Sequence, residues 1–383
     1  TFVNTIEAYE RSGRLLSIVS NVFGNLHSAE TNDELDRLAE TLMPLLSEHS
    51  NNISLNPQLF ERVKYVHEHT DRTSLTPEQQ TLLEETYRGF VRNGADLQGE
   101  ARDRYRALCQ ELSLLTLKFS ENNLKETNDY QLVLTDPAQL AGLPDSAVEA
   151  AAETAREKGV EGWVFTLQAP SYVPFMKYAD CRDLRHKLYL AYNTKCMHAN
   201  DRNNLEIVRR IANAHLELAR LLGYKCYADY NLEEHMAQDT AHVYQLLEQL
   251  LEAYTPTARQ EVAEVEALAR ETEGADFRLM PWDWSYYSQK LKDKKYRIDD
   301  EQLRPYFELD RVKEGIFGLA NKLYGLTFRK NPDIPVYHKD VDAYEVFDRD
   351  GSYLAVLYAD FHPRAGKRSG AWMTSYKGQW KDP

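Results

Sequence analysis

At 383 residues the chain exceeds the about 250–300 residues at which a single hydrophobic core stops growing, so two structural units, or part of something larger, are expected. Hydrophobic residues at 43% beside 28% charged residues exclude a disordered chain, and no apolar run approaches the ~18 residues of a membrane span. A formal charge of -14 excludes a nucleic-acid surface, which needs a concentrated basic patch. The dense basic run Lys290-Leu291-Lys292-Asp293-Lys294-Lys295 reads as a solvated loop or helix end.

The first residues, Thr1 to Glu10, hold no initiator methionine, basic leader or apolar signal core, and read as the interior of a longer reading frame. Phe2, Ile6, Tyr9, Leu16, Val19 and Phe23 recur at helical spacings and predict one long amphipathic helix. Similar stripes run through Leu35 to Leu46, Leu82 to Val91, Tyr105 to Leu124, Leu205 to Leu222, Val243 to Leu268 and Val312 to Leu323. Thr76 as cap with Pro77 in the first turn is a helix start, and Gly223 and Gly325 are helix ends. Within the helical stretch Asp239 to Glu273, Pro256 is expected to kink or divide the helix.

Strand signals are local. Tyr130–Leu134 and Gly162–Leu167 alternate with period two around a helix near Ser146–Lys158, and predict a small inserted sheet. Ala343–Phe347 and Tyr353–Ala359, joined by a turn carrying Asp350-Gly351, predict a hairpin. Ser369–Tyr376 is expected to be the next strand. The end of the chain, Lys377 to Pro383, reads as a loop cut in mid-course.

Reactive residues are sparse. Cys109, Cys181, Cys196 and Cys226 show no C-x-x-C spacing and read as reduced thiols, which favours the cytoplasm, with the periplasm as the alternative. His67-Glu68-His69 has the look of a ligand cluster, but side chains two apart on a helix face different ways. His235 and His242 flank a helix boundary and read as solvated or capping groups. No nucleophile elbow, phosphate loop or dinucleotide fingerprint occurs.

Two motifs carry a resemblance. Pro281-Trp282-Asp283-Trp284-Ser285-Tyr286-Tyr287 and Gly370-Ala371-Trp372-Met373-Thr374-Ser375-Tyr376 resemble the zinc-dependent oligopeptidases of the thimet oligopeptidase class, most closely the bacterial peptidyl-dipeptidase (dipeptidyl carboxypeptidase) branch. Phe119–Leu124, Ala169–Met176, Arg182–Lys195 and Leu222–Tyr230 resemble the same family in the same order. The resemblance implies a mainly α, neurolysin- and thimet-like multi-helix body with small β elements. It divides the chain into a helical body over 1–280, with a small β insertion at about 130–167, and an incomplete start of the catalytic half over 281–383.

The family's chemistry implies a zinc ion held by His-Glu-x-x-His and a downstream glutamate, hydrolysing short peptides. None of the eleven histidines has a partner four residues away, so the zinc is expected in the full-length parent and not in this chain. The resemblance further implies a monomer acting on short peptides, with no nucleic-acid or membrane partner. Gly370, Ala371 and Trp372 are expected to align an extended substrate by strand addition. Asp360, His362, Arg364 and Lys367 form a polar cluster suited either to a substrate carboxylate or to satisfying its own charges. The alternative function is a stand-alone, non-catalytic helical peptide-binding module.

Overall fold

A computed structural model describes residues 1–297 and 300–379. From residue 380 onward, the expected chain-end loop lies outside the described residues. A wide helical turn, Val3–Glu7, leads into α1 (Ala8–Arg11), followed by α2 (Arg14–Ala29), α3 (Asp33–Ser54), α4 (Pro57–His69), α5 (Pro77–Arg92) and α6 (Gly99–Asp129). Strands β1 (Leu132–Leu134) and β2 (Trp163–Phe165) flank α7 (Asp145–Glu157). Next come α8 (Ala169–Tyr178), α9 (Arg182–Asn193), α10 (Leu205–Leu221), α11 (Tyr227–Leu232), α12 (Thr240–Glu273), α13 (Trp284–Tyr296), α14 (Asp300–Leu303) and α15 (Leu309–Tyr324). Strands β3 (Thr327–Lys330), β4 (Asp342–Phe347) and β5 (Tyr353–Ala359) complete a mainly α chain.

These elements sort into two compact units that interleave along the sequence. One comprises Thr1–Lys125, Cys196–Tyr254 and Ala371–Pro383, and the other Glu126–Lys195 and Thr255–Gly370. In the first, Ile6, Val63, Val66, Leu83 and Phe90 form a buried cluster, and Leu55, Tyr105, Leu108, Ala214 and Leu218 form another. Helix starts follow the local chemistry. Asn32 and Asn56 each accept two backbone N–H groups at the first turns of α3 and α4. Thr76, the expected cap of α5, makes a reciprocal capping box with Gln79.

In the second unit β1 and β2 pair antiparallel with Leu132 opposite Phe165. Their inward side chains join Phe175, Met176 and Leu188 in the core. Gly162 fixes the approach of the two strands. Its φ of +96° suits glycine, and an added Cβ would lie 2.2 Å from the Leu134 carbonyl oxygen. The second sheet has the order β3-β4-β5. The Asp-Gly hairpin forms as predicted, with Gly351 at φ +82° and the Asp348 N–H donating to the Ser352 carbonyl at 2.9 Å. Strand β3 was not legible, because Thr327-Phe328-Arg329-Lys330 is largely exposed and shows no clean apolar alternation.

Three expectations are corrected. The stripe from Phe2 to Phe23 is not one helix, because Gly13 at φ +72° separates α1 from α2. Pro256 does not divide α12, which runs unbroken from Thr240 to Glu273. Pro256 and Glu252 are exposed, so water can satisfy the Glu252 carbonyl that loses its intrahelical donor. Ser369–Tyr376 is not a strand. Gly370 has φ +102°, outside the extended region, and β5 pairs only with β4 among the described residues.

Candidate functional site

The Trp282-Asp283-Trp284 motif is a packing hub within the second unit. Pro281–Asp283 forms a tight turn entering α13, and Asp283 is fully buried. Its carboxylate accepts from Arg182 Nη2 at 2.7 Å and Nε at 3.0 Å, from Arg185 Nη2 at 3.1 Å and from the Met280 N–H at 3.0 Å. Burial alone would raise the Asp283 pKa, but the Arg182 bonds, the Met280 N–H and Arg185 outweigh it and hold the carboxyl below its ordinary range. Arg185 is only 1% exposed; its Nη1 donates to the Ala179 carbonyl at 2.7 Å, and its guanidinium lies 3.9 Å from the centre of the Tyr286 ring.

The aromatic run around this hub is largely committed to packing. Trp282 lies on the His186 ring at 3.8 Å. The Tyr286 hydroxyl donates to Asp180 at 2.6 Å and the Tyr287 hydroxyl to Glu273 at 2.8 Å. Arg182 and Arg185 were not singled out as partners of Asp283. The available signal was an aspartate between two tryptophans, which needs a cation, and two arginines three residues apart on one helix.

The turn after β5 holds the predicted polar cluster. Arg364 makes a two-pronged bond to Asp360 at 2.8 and 2.7 Å. Lys367 donates to Asp360 Oδ1 at 2.9 Å and to the His362 carbonyl at 3.1 Å, and the Tyr337 hydroxyl donates to Asp360 Oδ2 at 2.9 Å. Burial works against the charged Asp360, but Arg364, Lys367 and Tyr337 together bring its pKa down to about 2. The His362 side chain belongs to an exposed residue and does not join the knot.

Gly370 ends the second unit's share of the chain, and Ala371 and Trp372 open the stretch grouped with the first. Gly370 and Ala371 are exposed, and Trp372 is half-buried. The Ser375 carbonyl accepts from Asn25 Nδ2 at 3.3 Å.

The remaining sequence candidates have local partners. His67 Nε2 meets Glu84 at 2.9 Å, and His69 Nδ1 meets the Tyr65 carbonyl at 2.9 Å. His235 bonds the Asn231 carbonyl, and the His242 N–H caps onto Asp239. In the basic run, Lys294 reaches Glu271 at 2.8 Å, Lys295 pairs with Glu264, and Lys290 sits over the Tyr286 ring, which makes it a solvated helix face.

Residues 175–382, which include both motifs, match the family described as Peptidase family M3. The chain belongs to peptidase family M3. This M3 chain is 37% identical over 381 residues to the dipeptidyl carboxypeptidase of Escherichia coli (strain K12), covering 99% of itself and 56% of that protein. It is 35% identical over 373 residues to the oligopeptidase A of the same organism, covering 96% of itself and 54% of that protein. The probable cytosolic oligopeptidase A of Arabidopsis thaliana is 33% identical over 378 residues, with 96% and 54% covered. The chain thus spans about half the length of the curated relatives it matches.

The zinc that membership in M3 implies does not fit the residues of this chain. Two histidines one helical turn apart are required, and none of its eleven histidines is so spaced. Among the described residues, three potential ligands come together at His27, Asp36 and Glu121, which offer one histidine instead of two. No described helix is long and apolar enough to cross a membrane.

Proposed function

We propose that this chain is the substrate-handling portion of a zinc-dependent M3 peptidase that hydrolyses short oligopeptides and releases dipeptides from their carboxy ends, the metal being held by residues outside these 383. The observation that carries the reading is the coverage. A dipeptidyl carboxypeptidase aligns with 99% of this chain but with only 56% of its own length, and the chain has no His-Glu-x-x-His.

In this reading the chain binds and orients the peptide. Gly370, Ala371 and Trp372 form no strand in the described structure, and in this reading their backbone N–H and C=O groups meet the peptide main chain, which serves any sequence because every peptide offers the same groups. Gly370 supports the assignment by its exposure and by the open space around its α-carbon. In the turn bearing His362 and Arg364, His362 is exposed, and a substrate carboxylate would share the Arg364 guanidinium with Asp360, which accepts from both of its Nη groups. The four cysteines are free thiols, which is compatible with the cytoplasm proposed here.

The test compares a quenched fluorescent peptide with a free carboxy terminus and its amidated counterpart. The protein expressed from the full reading frame is expected to cleave the first, to prefer it over the amide by at least about tenfold, and to stop when a chelator is added. The 383-residue chain alone is expected to bind the peptide without cleaving it. Chelator-sensitive turnover by this chain alone would overturn the reading. A full reading frame that binds peptide and never cleaves it would favour a non-catalytic binding module instead.

A further inference from the structure

The first unit contains a grouping that peptide handling does not use. His27 lies near the end of α2, Asp36 in the first turn of α3 and Glu121 in the last third of α6. A nitrogen or oxygen of each lies within 4.8 Å of the others. Asp36 and Glu121 are buried at 8% and 5% exposure. His27 Nε2 and Glu121 Oε1 are both shut off from solvent and have no hydrogen-bond partner.

Two buried carboxylates and a half-buried imidazole are an unfavourable set unless something positive joins them. Lys125 supplies one charge, with its Nζ 3.4 Å from Asp36 Oδ2. The Thr31 hydroxyl donates to Asp36 Oδ1 at 2.6 Å. Neither hydrogen-bonds Glu121 Oε1, so the pocket keeps two buried polar atoms, Glu121 Oε1 and His27 Nε2, with no hydrogen-bond partner. His27 Nε2 stands 3.3 Å from Asp36 Oδ1 without the alignment of a hydrogen bond. That spacing matches the about 3.4 Å between two ligands that sit about 2.1 Å from one tetrahedral ion.

We propose that His27, Asp36 and Glu121 bind a divalent transition ion of the zinc, manganese or cobalt class. One imidazole nitrogen with two carboxylate oxygens suits such borderline ions, whereas calcium and magnesium favour all-oxygen sets. Thr31 and Lys125 bond or pair with the ligand Asp36 and act as its outer shell, fixing the carboxylate as outer-shell groups do in known metal sites. By tying α2, α3 and α6 together, the ion staples elements far apart in sequence.

The experiment uses the chelator-stripped 383-residue chain titrated with Co²⁺ alone and, separately, with Zn²⁺ alone. Neither readout requires peptide hydrolysis, so the result is independent of the proposed peptidase activity. The expected result is one equivalent of Co²⁺ with a visible absorption band, displaced by Zn²⁺, and a rise in melting temperature on metal addition. Glu121→Gln and His27→Gln should each weaken binding by at least about tenfold. His242→Gln, which alters an exposed histidine, should leave it unchanged. Glu121→Gln keeps the side-chain shape, and its circular dichroism and metal-free melting temperature report whether it folds. Absence of stoichiometric binding by the parent chain, or binding that survives both ligand substitutions in folded protein, would overturn the proposal.

Discussion

Replacing Asp283 by Asn keeps the shape of the side chain and one acceptor oxygen but removes the charge that two guanidinium groups share. Arg185 is 1% exposed and Asp283 0%, so water cannot take the place of the lost counter-ion. Breaking a buried pair by neutralising one member costs about 3–5 kcal/mol. This carboxylate also accepts the Met280 N–H at 3.0 Å, a bond the remaining amide oxygen can keep, so the middle of that range is expected. With a urea dependence of about 2.5 kcal/mol per molar for the unit that unfolds, a loss of about 4 kcal/mol moves the midpoint down by about 1.6 M. Three of the five tryptophans, Trp163, Trp282 and Trp284, lie in the second unit, so tryptophan fluorescence during urea titration at pH 7 reads the right transition once Trp372 and Trp380 are replaced by Phe in the background. Adding Arg185→Met to Asp283→Asn should restore part of the loss, because it removes the stranded buried cation. A midpoint shift below about 0.3 M for Asp283→Asn in folded protein would refute the reasoning, since it would mean that the pair contributes no more than an exposed one.

Two further outcomes follow from geometry already described. The Asp360 pKa of about 2 lies below its unfolded value, so its contribution is fully present above about pH 4 and is lost as pH falls toward 2; it amounts to about 2 kcal/mol. Denaturation curves at pH 5 and pH 2.5 should show that Asp360→Asn loses less stability on acidification than the parent, and equal acid losses would contradict the assignment. Gly162→Ala should destabilise the second unit by more than about 1–3 kcal/mol, because a positive φ is compounded by a Cβ placed 2.2 Å from the Leu134 oxygen. Gly159→Ala, at φ +66° with open space around it, should show the conformational part alone, and equal losses at the two sites would reject the contact argument.

The features legible in the sequence were those decided by neighbours along the chain. Thr76, Pro77 and Gln79 start α5 because a hydroxyl, a fixed φ and a reaching amide act within one turn. The β4–β5 hairpin is similarly local, since Gly351 supplies the positive φ that its turn requires. What could not be read depends on partners brought together by folding. Pro256 was expected to kink or divide α12, but whether a proline ends a helix depends on whether the freed carbonyl can reach water. Arg182 meets Asp283 across 101 positions, and no periodicity encodes that meeting. His27, Asp36 and Glu121 sit on three different helices with ordinary spacings, and only their shared burial distinguishes them. Gly370 was expected within a strand; its positive φ takes the backbone out of the extended region there.

The interleaving of the two units bears on how the chain is made. Every residue of the second unit has been synthesised once the ribosome passes Gly370, whereas the first unit still awaits Ala371 onward. The earlier-starting unit is therefore the later to have all its parts. During translation, Thr1–Lys125 must persist as an incomplete assembly while Glu126–Lys195 emerges, and must then recruit Cys196–Tyr254. A ribosome pause between residues 196 and 254 would prolong that exposed state, and a chaperone that holds nascent helices would find its substrate there.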